Sequence, residues 1–298
     1  MIAALADTGD PWRWQPHPEV WLLLAGVIGL GLYVTRVIAP KVVDEGQVAV
    51  TRRQKGFFVA GVLTLWVSSD FPLHDLGENN LYVLHMIQHF SLTMVVPPLF
   101  LLSVPTWLAR LVFPDGSQAK ATLRKFGSPV AITVLFTAWS LFTHWPPVVS
   151  TSVEVGPVHY LVHLVSVSLA LGMWNNVCGP WPEWRLSPPN QCVYLFVQSL
   201  AVILPSAWVT LADSPVYDVY DHLPRLWGIS VITDQQYAGL FMQVFGGMYL
   251  WAIILYVFFR WSLSKEQTDQ YVTLTADQAS AYEAAGMTED NPVSPSAT

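Results

Sequence analysis

Apolar residues in this chain gather in long runs rather than at the spacing of an amphipathic helix or a half-buried strand. Seven runs stand out, over 19–38, 56–72, 80–104, 128–146, 157–178, 191–212 and 236–261. A helix needs about 20 mainly apolar residues to cross a bilayer, so the pattern predicts an all-α transmembrane bundle of about seven spans. The second run is the weakest, because Asp70 and Pro72 close it just after Ser69. In the first run Ala25 and Gly29 offer a small-residue step for close helix packing.

Charge sorts onto alternate connections. Arg36, Lys41, Arg52, Arg53 and Lys55 lie between the first and second runs, and Arg110, Lys120, Arg124 and Lys125 between the third and fourth. Arg185 lies between the fifth and sixth, and Arg260 and Lys265 end or follow the seventh, leaving only Arg13 and Arg225 for the other side. That other side carries Asp70, Asp75, Glu78, Glu154, Asp213, Asp218, Asp221 and Asp234. Lys and Arg favour cytoplasmic loops, so the expected topology has the N-terminus outside and the C-terminus inside; six spans would scramble the segregation. The first run lacks the basic start and cleavage site of a signal peptide and reads as a retained helix. The expected organisation is an outer N-terminal segment at 1–18, a transmembrane domain at 19–262 and a disordered acidic cytoplasmic tail at 263–298.

Composition agrees and excludes other classes. The chain is 53% hydrophobic and 12% charged, against about a quarter charged in soluble domains, and its mean hydropathy is +0.41. The 14 Trp, 11 Tyr and 14 Phe suit the aromatic belts of a lipid bilayer. A net charge of −7 leaves no basic stripe for nucleic acid. Two cysteines, Cys178 and Cys192, allow neither a disulfide framework nor a four-sulfur metal site.

The eight histidines carry the candidate chemistry. All of them (His17, His74, His85, His89, His144, His159, His163 and His222) fall in the expected outer half. His85 and His89 stand four residues apart in the third span, and His159 and His163 repeat that spacing in the fifth. Residues at i and i+4 share a helix face about 6 Å apart along the axis, so each pair can converge on one ion, as in zinc-binding helices. His144, in the corner ending the fourth span, can join at the same depth, and His74 can cover the site from a loop. Asp70, Asp75 and Asp234 can balance charge or orient a ligand. Single histidines near an interface serve as ordinary hydrogen-bonding groups, but two pairs at matching depth favour a metal site, with proton transfer the main competitor.

Imidazoles suit copper, zinc, iron or nickel, and thioethers would tilt the choice to Cu(I). Met86 and Met94 share the third span, while Met173, Met242 and Met248 lie elsewhere; core packing is the favoured reading of all of them, and Met86 points about 100° away from His85. Haem fits poorly, because two imidazoles on one helix face cannot reach opposite sides of one porphyrin. Retinal needs an intramembrane lysine, and the seventh span has none. Pro97, Pro98 and Pro205 predict kinks that can shape a cavity below the histidines. In the loop over 213–235, Tyr217, Tyr220 and Trp227 suit an interfacial belt, and Asp234 can also cap the seventh helix.

Several segments together resemble the polytopic CtaG-type cytochrome c oxidase assembly factors. They are His85-Met86-Ile87-Gln88-His89 leading into Pro97-Pro98-Leu99, His144-Trp145-Pro146, the pair His159 and His163, and Asp234-Gln235-Gln236-Tyr237-Ala238-Gly239-Leu240, spread over about 60–260. The resemblance implies a multi-pass protein of the bacterial inner membrane that binds copper transiently and delivers it to the catalytic subunit of a haem–copper cytochrome c oxidase. It also implies a periplasmic copper donor. Zinc or iron would be the lesser cargo, and the protein would be a metallochaperone and not an enzyme. Carried over by position, the site is His85, His89, His144, His159, His163 and Asp234, to which the local reading adds His74 and Asp70. Just before His163, where the family pattern often has an acid, this chain has Val162, so that helix is not expected to supply a carboxylate. Three competitors use the same histidines: a metal or proton transporter, a membrane oxidoreductase, and a metal-free docking protein. The transporter requires polar groups through to the cytoplasmic side, where Gln191, Gln198 and Gln243 are the main candidates.

Overall fold

A computed structural model describes residues 11–284, and these are helical wherever they are regular. Helix starts follow local chemistry. Thr51 and Gln54 form a reciprocal cap for the helix at Arg52–Ser69, the arrangement that satisfies two free N–H groups at once. Pro18, Pro129 and Pro188 occupy the first helical turn, where the missing N–H costs nothing.

Numbered along the chain, the helices are α1 (Pro18–Val42), α2 (Arg52–Ser69), α3 (Leu73–Asn79), α4 (Tyr82–Ser103), α5 (Thr106–Val112), α6 (Gln118–Phe126), α7 (Pro129–Thr143), α8 (Pro146–Glu154), α9 (Gly156–Cys178), α10 (Pro188–Thr210) and α11 (Val231–Glu266). Six segments are long and apolar enough to cross a membrane, Arg52–Asn79 counted as one, and the bent pair α6–α7 makes a seventh. That pair turns by 61° at Ser128, whose extended backbone (ψ 146°) is what a following proline imposes. The protein is therefore a multi-pass membrane protein. Leu22, Leu30, Leu200, Leu204, Phe245 and Phe259 point outward, an apolar surface that would be a liability in water and suits lipid.

Several expectations change in detail. The segment after Pro72 is not a loop: Leu73–Asn79 is helical and carries His74. Beyond Glu266 the backbone stays helical to Ala284, where an irregular tail was expected from 263; residues 1–10 and 285–298 lie outside the described residues. Gly29 faces open space, and α1 instead meets α2 at Gly31, against the Phe58 ring. Tyr217 and Tyr220 are fully buried beneath Tyr82 rather than in an interfacial belt, while Trp227 is exposed.

α4 is the central helix, packed on α2, α3, α9 and the start of α11. Because lipid is as apolar as a leucine side chain, close approach at small residues replaces hydrophobic burial as the packing force. Gly77 of α3 lies on α4 so closely that a Cβ there would stand 2.9 Å from His85 N. Gly239 meets Ser206 and Thr210 of α10 in the same way. Three helices contain a π turn, at Val34–Ile38, Ser91–Val95 and Met242–Gly246. In α4 this turn comes just before Pro97 and Pro98, which are buried. One core, around Met173, Trp174, Leu195 and Leu250, packs the bundle beyond the histidine pairs and reaches them through Met94 and Phe136. The other, around Tyr82, Met86, Tyr217, Tyr220 and Met242, supports them.

Candidate functional site

The first turn of α4 is held from a distance. Its N-terminal residue, Leu81, provides no side-chain cap. Instead Asp234 of α11 accepts from the backbone N–H groups of Tyr82 (2.8 Å) and Val83 (3.0 Å) and from Arg225 Nη2 (2.9 Å). A carboxylate at a helix N-terminus meets both free donors and the positive end of the dipole. His85 follows within one turn, so this clamp fixes where the first histidine pair begins.

Asp234 was expected among the metal residues, and the structure gives it this clamping role. Both oxygens are engaged, and the cap of its own helix is Ser230, which accepts from Thr233 N. Asp70 is diverted similarly: it accepts from Trp21 Nε1 (3.0 Å), Trp66 Nε1 (2.7 Å) and Phe71 N (2.9 Å), tying α1 to α2. We therefore take both carboxylates out of the candidate site.

The histidines do assemble. Ring centroids are 4.6 Å apart for His85–His89 and 4.4 Å for His159–His163, as the four-residue spacing predicts. The two pairs face each other across α4 and α9, with His85–His159 at 5.5 Å and His89–His163 stacked at 4.4 Å. His74 of α3 extends the row, 6.1 Å from His159, and His17 stands edge-on to it at 4.9 Å. His144 enters from the corner after α7; it lines a small cavity together with His85 and His89. His222 stays exposed.

At the α3 end of the row, His74, Glu78 and His159 form a group whose ligand atoms all lie within 4.8 Å of one another. Glu78 Oε1 is 2.7 Å from His159 Nε2 and 3.3 Å from His74 Nε2. Ligands about 2.1 Å from a tetrahedral zinc-like ion sit roughly 3.4 Å apart, so a small opening at Glu78 admits one. Gln88 Nε2 lies 3.0 Å from His74 Nδ1, while Gln88 Oε1 is buried without a partner. With the amide turned end for end, Oε1 accepts from Nδ1–H and leaves Nε2 to an ion, the usual bracing of a metal-binding imidazole.

Buried polar atoms ordinarily find hydrogen-bond partners, and here a cluster of them does not. His85 Nδ1, His144 Nε2 and both nitrogens of His163 are buried without hydrogen bonds, while His159 Nε2 and Glu78 Oε1 are satisfied only within the His74–Glu78–His159 group. A cation would satisfy such lone pairs together. At the rim, burial pushes the His17 pKa down, but hydrogen bonds and charge from Asp75 and Glu19 outweigh it and hold the group above its ordinary value. Burial holds His144 below its ordinary value, opposed by a bond to the Ser140 carbonyl.

The sequence reading missed Glu78, Gln88 and His17. Glu78 had a readable signal, standing four residues after His74 just as the histidine pairs are spaced. It supplies from α3 the carboxylate that Val162 denies to α9. Gln88 had none, because its contact depends on how α3 folds back on α4.

The family model described as cytochrome c oxidase caa3 assembly factor matches residues 31–264. Comparisons with curated proteins and with solved structures gave no match.

Proposed function

From the premise that this chain belongs to the caa3-type cytochrome c oxidase assembly factors, we propose that it carries copper on its histidine cluster and passes it to the oxidase. Membership makes the oxidase its partner and a non-enzymatic role its coarse description. The copper cargo, the delivery step and an outward-facing cluster in the bacterial inner membrane are our reading, to which the basic-residue segregation lends the orientation. A periplasmic donor would load the site.

The observation that carries the proposal is the group of buried, unpartnered imidazole nitrogens beside the His74–Glu78–His159 group. Neutral imidazoles are copper ligands. Ring spacings of 4.4–6.1 Å between neighbours let an ion change partners one ligand at a time. Such transfer is ligand exchange: no covalent bond of the protein breaks, and each imidazole released can take up a proton. Beyond the cavity, Met173, Trp174 and Leu195 are packed in the core, and the buried amides of Gln198 and Asn176 are tied to Thr133 and to the Gly127 carbonyl; an apolar core with its polar groups held in place favours delivery from one face over transport across the membrane.

Elemental analysis of copper-loaded protein tests this, with wild type beside His85→Ala/His89→Ala. We expect about one or two coppers per chain in wild type and a clear loss in the variant. No copper in either folded protein would overturn the proposal and leave a docking or proton-handling role for the histidines.

A further inference from the structure

Below the histidine row the bundle encloses a cavity of ≈ 90 Å³ lined by Met86, His89, Met94, Phe136, His144 and Met242, among others. Of the five methionines that fall in the spans, three line this cavity; Met173 is packed in the core and Met248 faces outward. Met86 and Met242 also belong to one buried cluster, from α4 and α11.

His144 turns this from a packing defect into a site. Its Nδ1 lies 2.7 Å from the Ser140 carbonyl oxygen. A carbonyl can only accept, so Nδ1 carries the proton and Nε2 presents a bare lone pair. That Nε2 is buried and has no partner, and the thioethers beside it have no proton to give. The Thr93 and Thr143 hydroxyls, which also line the cavity, donate to helix carbonyls instead, so a cation or a water suits this lone pair. Ligand character also changes along the row. Glu78 brings oxygen beside His74 and His159, His85 and His163 offer nitrogen alone, and His89 and His144 share a cavity lining with three thioethers. Softer ligands select softer ions.

We infer that this cavity is a second metal site, for a soft monovalent cation and specifically Cu(I), with His89, His144, Met86 and Met242 as its ligands. The inference rests on the copper-handling reading but adds two thioether ligands to His89 and His144 and assigns that end of the row its own ion preference. The carboxylate-bearing group at the rim takes divalent ions, and the thioether cavity holds Cu(I). His89 belongs to both the row and the cavity, so an ion can move between them without passing through lipid.

The test uses full-length protein in detergent: wild type, Met86→Leu/Met242→Leu and Glu78→Gln. Cu(I) is titrated anaerobically against a competing chelator, Zn(II) binding is measured in parallel, and X-ray absorption reads the copper ligands. Leucine keeps the volume and removes the sulfur. We expect sulfur among the copper neighbours in wild type. The methionine variant should lose that sulfur and at least tenfold in Cu(I) affinity while keeping Zn(II), and Glu78→Gln should show the reverse. Nitrogen-only coordination of Cu(I) in wild type would overturn the inference and leave the cavity to water, with the copper-handling reading intact. Wild type that binds neither ion would overturn both. The wild-type spectrum decides even if a variant fails to fold.

Discussion

Asp234 separates a structural clamp from a metal ligand more sharply than any other residue. It is fully buried and holds the first two N–H groups of α4 and the Arg225 guanidinium. Asp234→Ala removes all three bonds. Breaking one side of a buried ion pair costs about 3–5 kcal/mol, and a buried donor left empty about 1–3 kcal/mol. Arg225 retains the carbonyls of Asn80, Tyr220 and Ile229, which limits its share, so we expect a total loss of about 3–5 kcal/mol. Asp234→Asn keeps one acceptor and loses the charge; charge-assisted bonds are roughly twice as strong as neutral ones, so a cost of about 1–2 kcal/mol follows. Reversible denaturation in mixed micelles measures both, with copper content recorded on the folded fraction. Copper should persist wherever the protein stays folded. An Asp234→Ala protein within about 0.5 kcal/mol of wild type, yet without copper, would refute the clamp and make this carboxylate a ligand.

Three further outcomes follow from the geometry. Gly77→Ala puts a Cβ 2.9 Å from His85 N and 3.0 Å from His85 Cα, backbone that cannot yield, so α3 must lift from α4. We expect a cost of about 1–3 kcal/mol and at least about a tenfold loss of metal affinity as His74 and Glu78 shift, read by thermal melting and chelator competition. The raised pKa of His17 means that its link to Asp75 stabilises the fold fully below about pH 6.5 and fades as pH rises through the higher folded value. The melting-temperature gap between wild type and His17→Gln should therefore be larger at pH 6 than at pH 9, and an equal gap would remove the ion pair from the account. Imidazoles must be neutral to bind a metal, and burial holds His144 below its ordinary value, so copper affinity should stay level down to about pH 6.5 and fall only at lower pH, by up to tenfold per pH unit for each proton displaced; a fall already under way above neutral pH would place the copper elsewhere.

What could be read from sequence divides by the range of the interaction. The spans were legible because crossing lipid demands a long apolar run from one segment, and the histidine pairs because i, i+4 is a property of one helix. The facing of those pairs was inferable from matching depth and is met in the ring distances. The clamping roles of Asp70 and Asp234 were not legible because their partners, the Trp21 and Trp66 indoles and the start of α4, are brought to them only by the tertiary fold. Short α3 was hidden by its charges and its preceding proline, and with it the one carboxylate that reaches the row. The buried tyrosines were read as interfacial because an aromatic residue in a loop carries no mark of whether the loop folds back over the bundle.

The π turn at Ser91–Val95 gives the central helix two independent registers. Above it, the phase of α4 is set by Asp234 and presents His85 and His89 to α9; below it, the phase directs Met94 to the cavity and the prolines into the core. Closing that turn to an α turn with the same residues would rotate everything beyond it by about 100° relative to the histidines, whereas deleting one residue within it would leave both faces in place. The cargo-binding face and the floor beneath it are thus phased separately on one continuous helix, with the π turn as the joint between them.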